Sequence, residues 1–303
     1  MKIVVIGSGF GGLSAAIRLQ AQGYSVVILE KRDKPGGRAY VYEQDGFKFD
    51  GGPTIITAPW LIDEMFEAGG RKTSDYVELV KLDPFYNIRF EDGTIFNYND
   101  DRDTLREQIR KFDDADGVAG YERFAADLGE IYRVGFELID KPFTRWQDML
   151  RVVPKMIRLR SDRSVYKFAS RYFKDERLRQ AFSFHPLLIG GNPFTSTSIY
   201  AMIHRLEQEY GVWFAKGGTG ALVRALCDLF MDLGGEIFLD AEVEEIHVNR
   251  AGEAGGARLK SGEFFQADAV VCNADVAWTY LNLIKPEFRR KYTDKKVRSM
   301  TYS

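Results

Sequence analysis

Apolar residues come in short blocks at the start of the chain, and their period changes as it proceeds. Lys2–Ile6 is a run of branched side chains, the pattern of a strand buried on both faces. Leu13–Gln22 switches to helical spacing, Gly23 suits a helix stop, and Ser25–Leu29 returns to strand. Pro59–Ala68 predicts a helix. Residues 76–98 alternate as YVELVKL, YNIRF and, after Glu91-Asp92-Gly93, TIFNY, which predicts a hairpin on an antiparallel sheet. From Asp103 to Arg179 the spacing is mostly helical, with breaks expected at Gly135, Pro142 and Pro154. An apolar run at 182–189 leads into GGNPFTS, and a helix is expected over 200–208. Residues 221–233 predict another helix. Strands are expected at 236–239, 242–249, 263–266 and 269–272, ending at Asn273-Ala274-Asp275, and RSMTYS reads as the start of one more. The late strands return to the first half, so the hairpin and helices between them are an insertion. The expected organisation is residues 1–80, an insertion at 81–209, and a return at 210–303.

The turn between the first strand and helix adds chemistry. Gly7, Gly9 and Gly12 follow the G-x-G-x-x-G spacing, and Glu30 ends the second strand. Strand, turn, helix, strand and terminal acid in this order fit a dinucleotide site. Gly7 allows the tight turn, Gly9 admits a pyrophosphate, and Gly12 lets helix pack on strand. The helix N-terminus offers free N–H groups to phosphate, and Glu30 is placed to accept from a ribose hydroxyl. A loop with Gly36-Gly37-Arg38 follows, either a phosphate- or flavin-facing loop or a surface turn. Gly51-Gly52-Pro53-Thr54 is a second glycine-rich turn, where bare backbone would let a flat ring approach.

Composition narrows the class. The chain has 42 basic and 44 acidic side chains, a net charge of −2, which argues against a general nucleic-acid binder. Cys227 and Cys272 have no metal or redox spacing, and His185, His204 and His247 are scattered, so no metal site is expected. Met1 leads straight into a strand, and no apolar stretch approaches the roughly 18 residues of a membrane span. The expected location is cytoplasmic, soluble or on a membrane surface. Residues 141–180 hold 12 Lys/Arg and 4 Asp/Glu, a local charge of +8. Apolar Phe143, Trp146, Leu150, Val153 and Ile157 alternate there with Arg145, Arg151, Lys155 and Arg158. Such a segment is either an interfacial membrane helix or a solvated helix face.

Five stretches carry a family resemblance: IGSGFGGLSAAIRLQAQG, LEKRDKPGGRAYVYEQDGFKFDGGPTIIT, RQAFSFHPLLIGGNPFTSTSIY, GVWFAKGGTGALV and ADAVVCNADV. Along its entire length the chain resembles the bacterial phytoene desaturases, the flavin-dependent carotenoid desaturases. The first stretch is shared with many flavoproteins, and GGNPF and GVWFAKGGTGALV are more specific. The resemblance implies an α/β fold: a Rossmann-like FAD-binding domain interrupted by a substrate domain, with an antiparallel sheet and a helical, membrane-facing insertion. It also implies that this chain is the N-terminal part of a longer enzyme, whose remainder supplies a second glycine-rich flavin segment.

The implied cofactor is FAD and the implied substrate a long polyene hydrocarbon such as phytoene, drawn from a membrane. A hydride would pass to flavin and a proton would be lost, giving a conjugated double bond, with a quinone or oxygen as final acceptor. The flavin-binding residues so implied are Gly7, Gly9, Gly12, Glu30, Arg38, Gly52 and Val243, the last through its backbone to the adenine. Asp148 and Arg151 share a face of the basic stretch and are candidates to stabilise a cation or accept the proton; the alternative is a surface ion pair. Asn192 is a further candidate, or a turn residue before Pro193. Two rivals stand beside this reading. One is another flavin oxidase of the same fold, acting on amines or isomerising a carotenoid. The other is a non-catalytic lipid-escort protein of the GDP-dissociation-inhibitor type, which would not need the intact fingerprint and acid.

Overall fold

The computed structural model describes every residue except 140–146, 148, 149, 151, 152, 155, 156, 158–161, 290 and 301–303. The chain forms two compact units, Met1–Val80 with Phe214–Ser303, and Lys81–Trp213. The second crossing therefore falls at Phe214, four residues after the expected 210.

The first unit is built on β1 (Lys2–Ile6) and β2 (Ser25–Leu29), joined by α1 (Phe10–Ala21). Its sheet has four parallel strands in the order Ala269–Cys272, β1, β2, Glu236–Phe238. Side chains alternate across β1, and the two faces bury different layers. Ile3 and Val5 face a helical layer that includes Leu13, Ala16 and Ile17 of α1 and Leu222, Leu226 and Phe230 of the Thr219–Asp232 helix. Val4 and Ile6 pack with Val243, Ile246, Ala257 and Leu259. Those residues come from an antiparallel meander of Val243–Val248, Ala254–Leu259 and Phe264–Gln266. The unit is thus three layers, with a parallel sheet buried on both faces as its uninterrupted apolar strands require. Gly23, at φ +86°, closes α1.

Two expectations need correcting here. The strand Ala254–Leu259 was not foreseen, because its sequence AGGARL has little β-propensity. The stretch at 298–303 was expected to open a strand, whereas Asp294–Arg298 is a helix whose N-terminus Thr293 caps; residues 301–303 lie outside the described ones.

The second unit carries the expected hairpin, Tyr86–Arg89 against Ile95–Tyr98, with Tyr86 opposite Tyr98. Helices Arg102–Arg110, Ala115–Ile139 and Met202–Tyr210 surround a core rich in aromatic rings, among them Phe96, Tyr98, Phe124, Phe173 and Phe182. Gly135 does not break its helix. A Cβ there would stand 2.6 Å from the Met202 sulfur, so glycine serves a close approach. The same core holds polar groups. Glu207 accepts from the Tyr86 hydroxyl at 2.7 Å and from His185 Nε2 at 3.0 Å, and the Tyr98 hydroxyl is hydrogen-bonded to His204 Nδ1. Burial holds the His204 imidazole well below the usual histidine range and the Tyr98 hydroxyl well above the tyrosine range. His204 is therefore neutral and free to accept at Nδ1.

Candidate functional site

The glycine fingerprint forms the turn from β1 into α1. Gly7 adopts φ +93°, a conformation glycine takes at no steric cost, and its N–H reaches Leu29 O at 2.8 Å. The helix starts at Phe10, so Gly11 and Gly12 lie in its first turn. A Cβ on Gly12 would stand 2.0 Å from Gly7 O, an overlap no rearrangement of a side chain can relieve. Gly9 precedes the helix, no side chain caps it, and its first turn carries no acid. The first N–H groups of α1 are thus left for an anion.

The later loops close on this turn. Gly36 N–H donates to Ser8 O at 3.1 Å, and the Gly9 and Gly36 backbones pair as a bridge. A Cβ on Gly37 would meet Gly9 Cα at 3.0 Å. Arg38 is exposed on this loop, and its carbonyl lies 2.3 Å from where a Cβ on Gly52 would stand. Gly52 is therefore the residue that lets the second glycine-rich turn lie against the first loop. Beyond it, Thr219 N–H donates to Asp50 Oδ2 at 3.2 Å, and the Thr219 hydroxyl donates to Pro53 O at 2.6 Å. The KGGTG turn is in this way tied to FDGGP. Asp50 and Thr219 were not singled out from the sequence, although Asp50 sits beside Gly51, which was, and Thr219 lies within the stretch GVWFAKGGTGALV.

Glu30 is 4% exposed. Its Oε2 accepts from Ser8 N–H at 2.9 Å and from the Ser8 hydroxyl at 2.5 Å, and its Oε1 accepts from Arg32 N–H at 3.0 Å. A carboxylate has about four acceptor positions, so capacity remains for a ribose hydroxyl. The Glu30 backbone is joined to the segment before Val243: its N–H donates to Phe238 O at 2.9 Å, and its carbonyl accepts from Ala241 at 2.8 Å. Val243 opens the meander, paired with Leu259 and buried. Gly7, Gly9, Gly12, Glu30, Arg38, Gly52 and Val243 all belong to the first unit.

A largely apolar cavity of about 470 Å³ adjoins the turns. Phe10, Gly11 and Ser14 of α1, residues 53–58 and Thr219 line it. Cradle and cavity together fit a dinucleotide carrying a flat aromatic ring, as FAD does. The glycines leave backbone within reach of phosphate, and the donors there have no side-chain competitor.

The candidates outside this unit stand differently. Asp148 and Arg151 lie outside the described residues. Asn192 is exposed in the second unit, where its Oδ1 accepts from Phe194 N–H at 2.9 Å and its carbonyl accepts from Thr195 and Ser196. That geometry is an Asx turn. Among the described residues no group of His, Cys, Asp and Glu is arranged to hold a metal, and no helix is long and apolar enough to cross a membrane.

Comparison with known proteins places the chain. A phytoene desaturase (lycopene-forming) of Pseudescherichia vulneris is 51% identical over 286 residues, 93% of this chain and 57% of the relative. A phytoene desaturase (neurosporene-forming) of Cereibacter sphaeroides is 42% identical over 303 residues, 100% of this chain and 58% of the relative. The chain thus spans somewhat over half the length of these relatives. A crystal structure of a Pyrococcus furiosus protein shares the fold, with a TM-score of 0.67 at 22% identity over 100% of this chain and 66% of that one. The model of the flavin containing amine oxidoreductases matches residues 10–301, and the chain belongs to that family.

Proposed function

We propose that the chain binds FAD on its first unit and takes part in the desaturation of a C40 polyene such as phytoene. The observation that carries this reading is the interlocking of four glycine-bearing turns around the N-terminus of α1, in a chain 42–51% identical to named phytoene desaturases. Bound FAD supplies the two-electron acceptor: a hydride leaves one carbon, a proton leaves its neighbour, a C=C forms, and a quinone or oxygen takes the electrons on.

The chain's own residues bind and orient. The first-turn N–H groups of α1, with Gly7 and Gly9, hold the pyrophosphate. Glu30 accepts from the ribose, and the Val243 backbone meets the adenine. Arg38 and the Gly52 turn flank the ring. Residues 81–209 receive the substrate, with Asp148 and Arg151 to stabilise the allylic cation or accept the proton. Among the described residues the Asn192 Nδ2 has no hydrogen-bond partner, which leaves it for a similar task. A hydrocarbon offers no polar handle, so its recognition rests on apolar surface and shape.

Membrane association supports substrate delivery. Leu150, Val153 and Ile157 have helical backbone at i, i+3, i+7 spacing, and all three are exposed, Ile157 by 69%. The sequence of residues 141–180 carries a charge of +8, a composition suited to an anionic bilayer.

The test is anaerobic. Phytoene in liposomes, added to the FAD-loaded protein without an acceptor, should bleach the oxidised flavin spectrum. Flavin left oxidised by phytoene but bleached by an amine would favour the amine-oxidase reading instead.

A further inference from the structure

The order of the parallel sheet marks a place that the fingerprint alone does not describe. From β1 the chain passes through α1 to β2 on one side, while Ala269–Cys272 lies on the other. The order therefore reverses at β1, and ligands of open parallel sheets bind at the carboxyl ends of the strands flanking such a reversal. On the β1 side of that crevice stands Gly7. On the other stands Asn273, the first residue after the strand, whose backbone N–H donates to Ile6 O at 2.8 Å.

The side chain of Asn273 lies across the fingerprint. Its Nδ2 is 3.0 Å from where a Cβ on Gly9 would stand and 3.2 Å from that of Gly12, and its Oδ1 is 2.6 Å from that of Gly11. Three glycines thus make room for one amide. The residue is exposed, and among the described residues its amide has no hydrogen-bond partner. An amide held over uncapped N–H groups, with its own N–H₂ unspent, is a donor waiting for an acceptor. An amide also brings no charge, whereas an aspartate there would oppose a phosphate.

We infer that Asn273 is a cofactor-binding residue, donating its side-chain N–H₂ to the pyrophosphate from the side of the crevice opposite β1. The inference rests on the FAD reading above, and it assigns the end of that strand, in ADAVVCNADV, to phosphate recognition.

The test compares the wild-type protein with Asn273→Ala and Asn273→Asp, measuring affinity for FAD, for ADP and for adenosine by titration calorimetry. Melting of the ligand-free proteins serves as the control for folding. The expected result is about a tenfold loss of FAD and ADP affinity for the alanine variant. A larger loss is expected for the aspartate variant, with adenosine affinity and apo melting unchanged in both. Equal FAD and ADP affinity in all three proteins would overturn the role of Asn273 and leave the FAD reading standing. Equal losses for adenosine and ADP would also overturn it, since adenosine carries no phosphate. A wild-type protein that binds neither FAD nor ADP would overturn the FAD reading, and this inference with it.

Discussion

Ser8 donates both its backbone N–H and its hydroxyl to Oε2 of Glu30, at 2.9 and 2.5 Å, with the serine fully buried. The acid at the end of β2 therefore braces the glycine turn at the end of β1. It fixes the turn, and under the proposed function it also receives the ribose. Glu30→Gln keeps one acceptor oxygen and Glu30→Ala keeps none. The alanine variant should lose about 2 kcal/mol of stability without ligand, because buried Ser8 donors are left unpaired. The glutamine variant should lose less stability and still bind FAD more weakly. Urea unfolding with and without FAD separates the two effects.

Two glycine-to-alanine changes should act in opposite directions. Gly12→Ala puts a methyl 2.0 Å from Gly7 O, between two backbones that cannot part without opening the turn. It should cost about 3 kcal/mol or more and abolish FAD binding. Gly129 lies inside the Ala115–Ile139 helix with nothing within 4 Å of its Cβ position. Gly129→Ala should therefore stabilise the protein by up to about 1 kcal/mol. Thermal melts of the two variants are the check.

Much of this site is local in the sequence, and that part was legible. The fingerprint, the terminal acid and the strand pattern of β1 each occupy a few adjacent residues. The partners that lock them together are distant: Asp50 meets Thr219 across 169 residues and Ser8 meets Glu30 across 22. No periodicity reports such pairs. Gly135 was misread because a glycine that admits Met202 looks the same in sequence as one that ends a helix. The three histidines looked scattered, yet His185 and His204 have ring centroids 6.2 Å apart in the second unit's core.

That core gives the protein a pH dependence. The imidazole of His204 is lowered first by burial and then by the neighbouring charges of His185 and Arg205. The folded chain keeps it neutral where the unfolded chain takes up a proton. Below about pH 6.5 the unfolded state binds the extra proton, so stability falls as pH falls, by up to about 1.4 kcal/mol per pH unit. Melting between about pH 7 and pH 5 should show this slope, and His204→Gln should flatten it while lowering stability at every pH, because Tyr98 and Tyr121 lose their partner.

The proposed membrane surface predicts a separation of binding from folding. Replacing Leu150, Val153 and Ile157 together by serine removes exposed apolar area only. The affinity for vesicles containing anionic lipid, read by sedimentation, should fall by about tenfold or more, because three apolar side chains that lipid would cover are lost. The melting temperature should not change. Unaltered sedimentation would assign the exposed face to another role.

The most direct measurement of the central claim is the visible spectrum of lipid recovered after turnover. Phytoene in liposomes is incubated with the FAD-loaded protein and a quinone or oxygen, then extracted. Each added conjugated bond moves absorption to longer wavelength, so the expected result is new coloured bands whose positions count the desaturation steps. A colourless extract, from protein with FAD bound and able to be reduced and reoxidised, would contradict it.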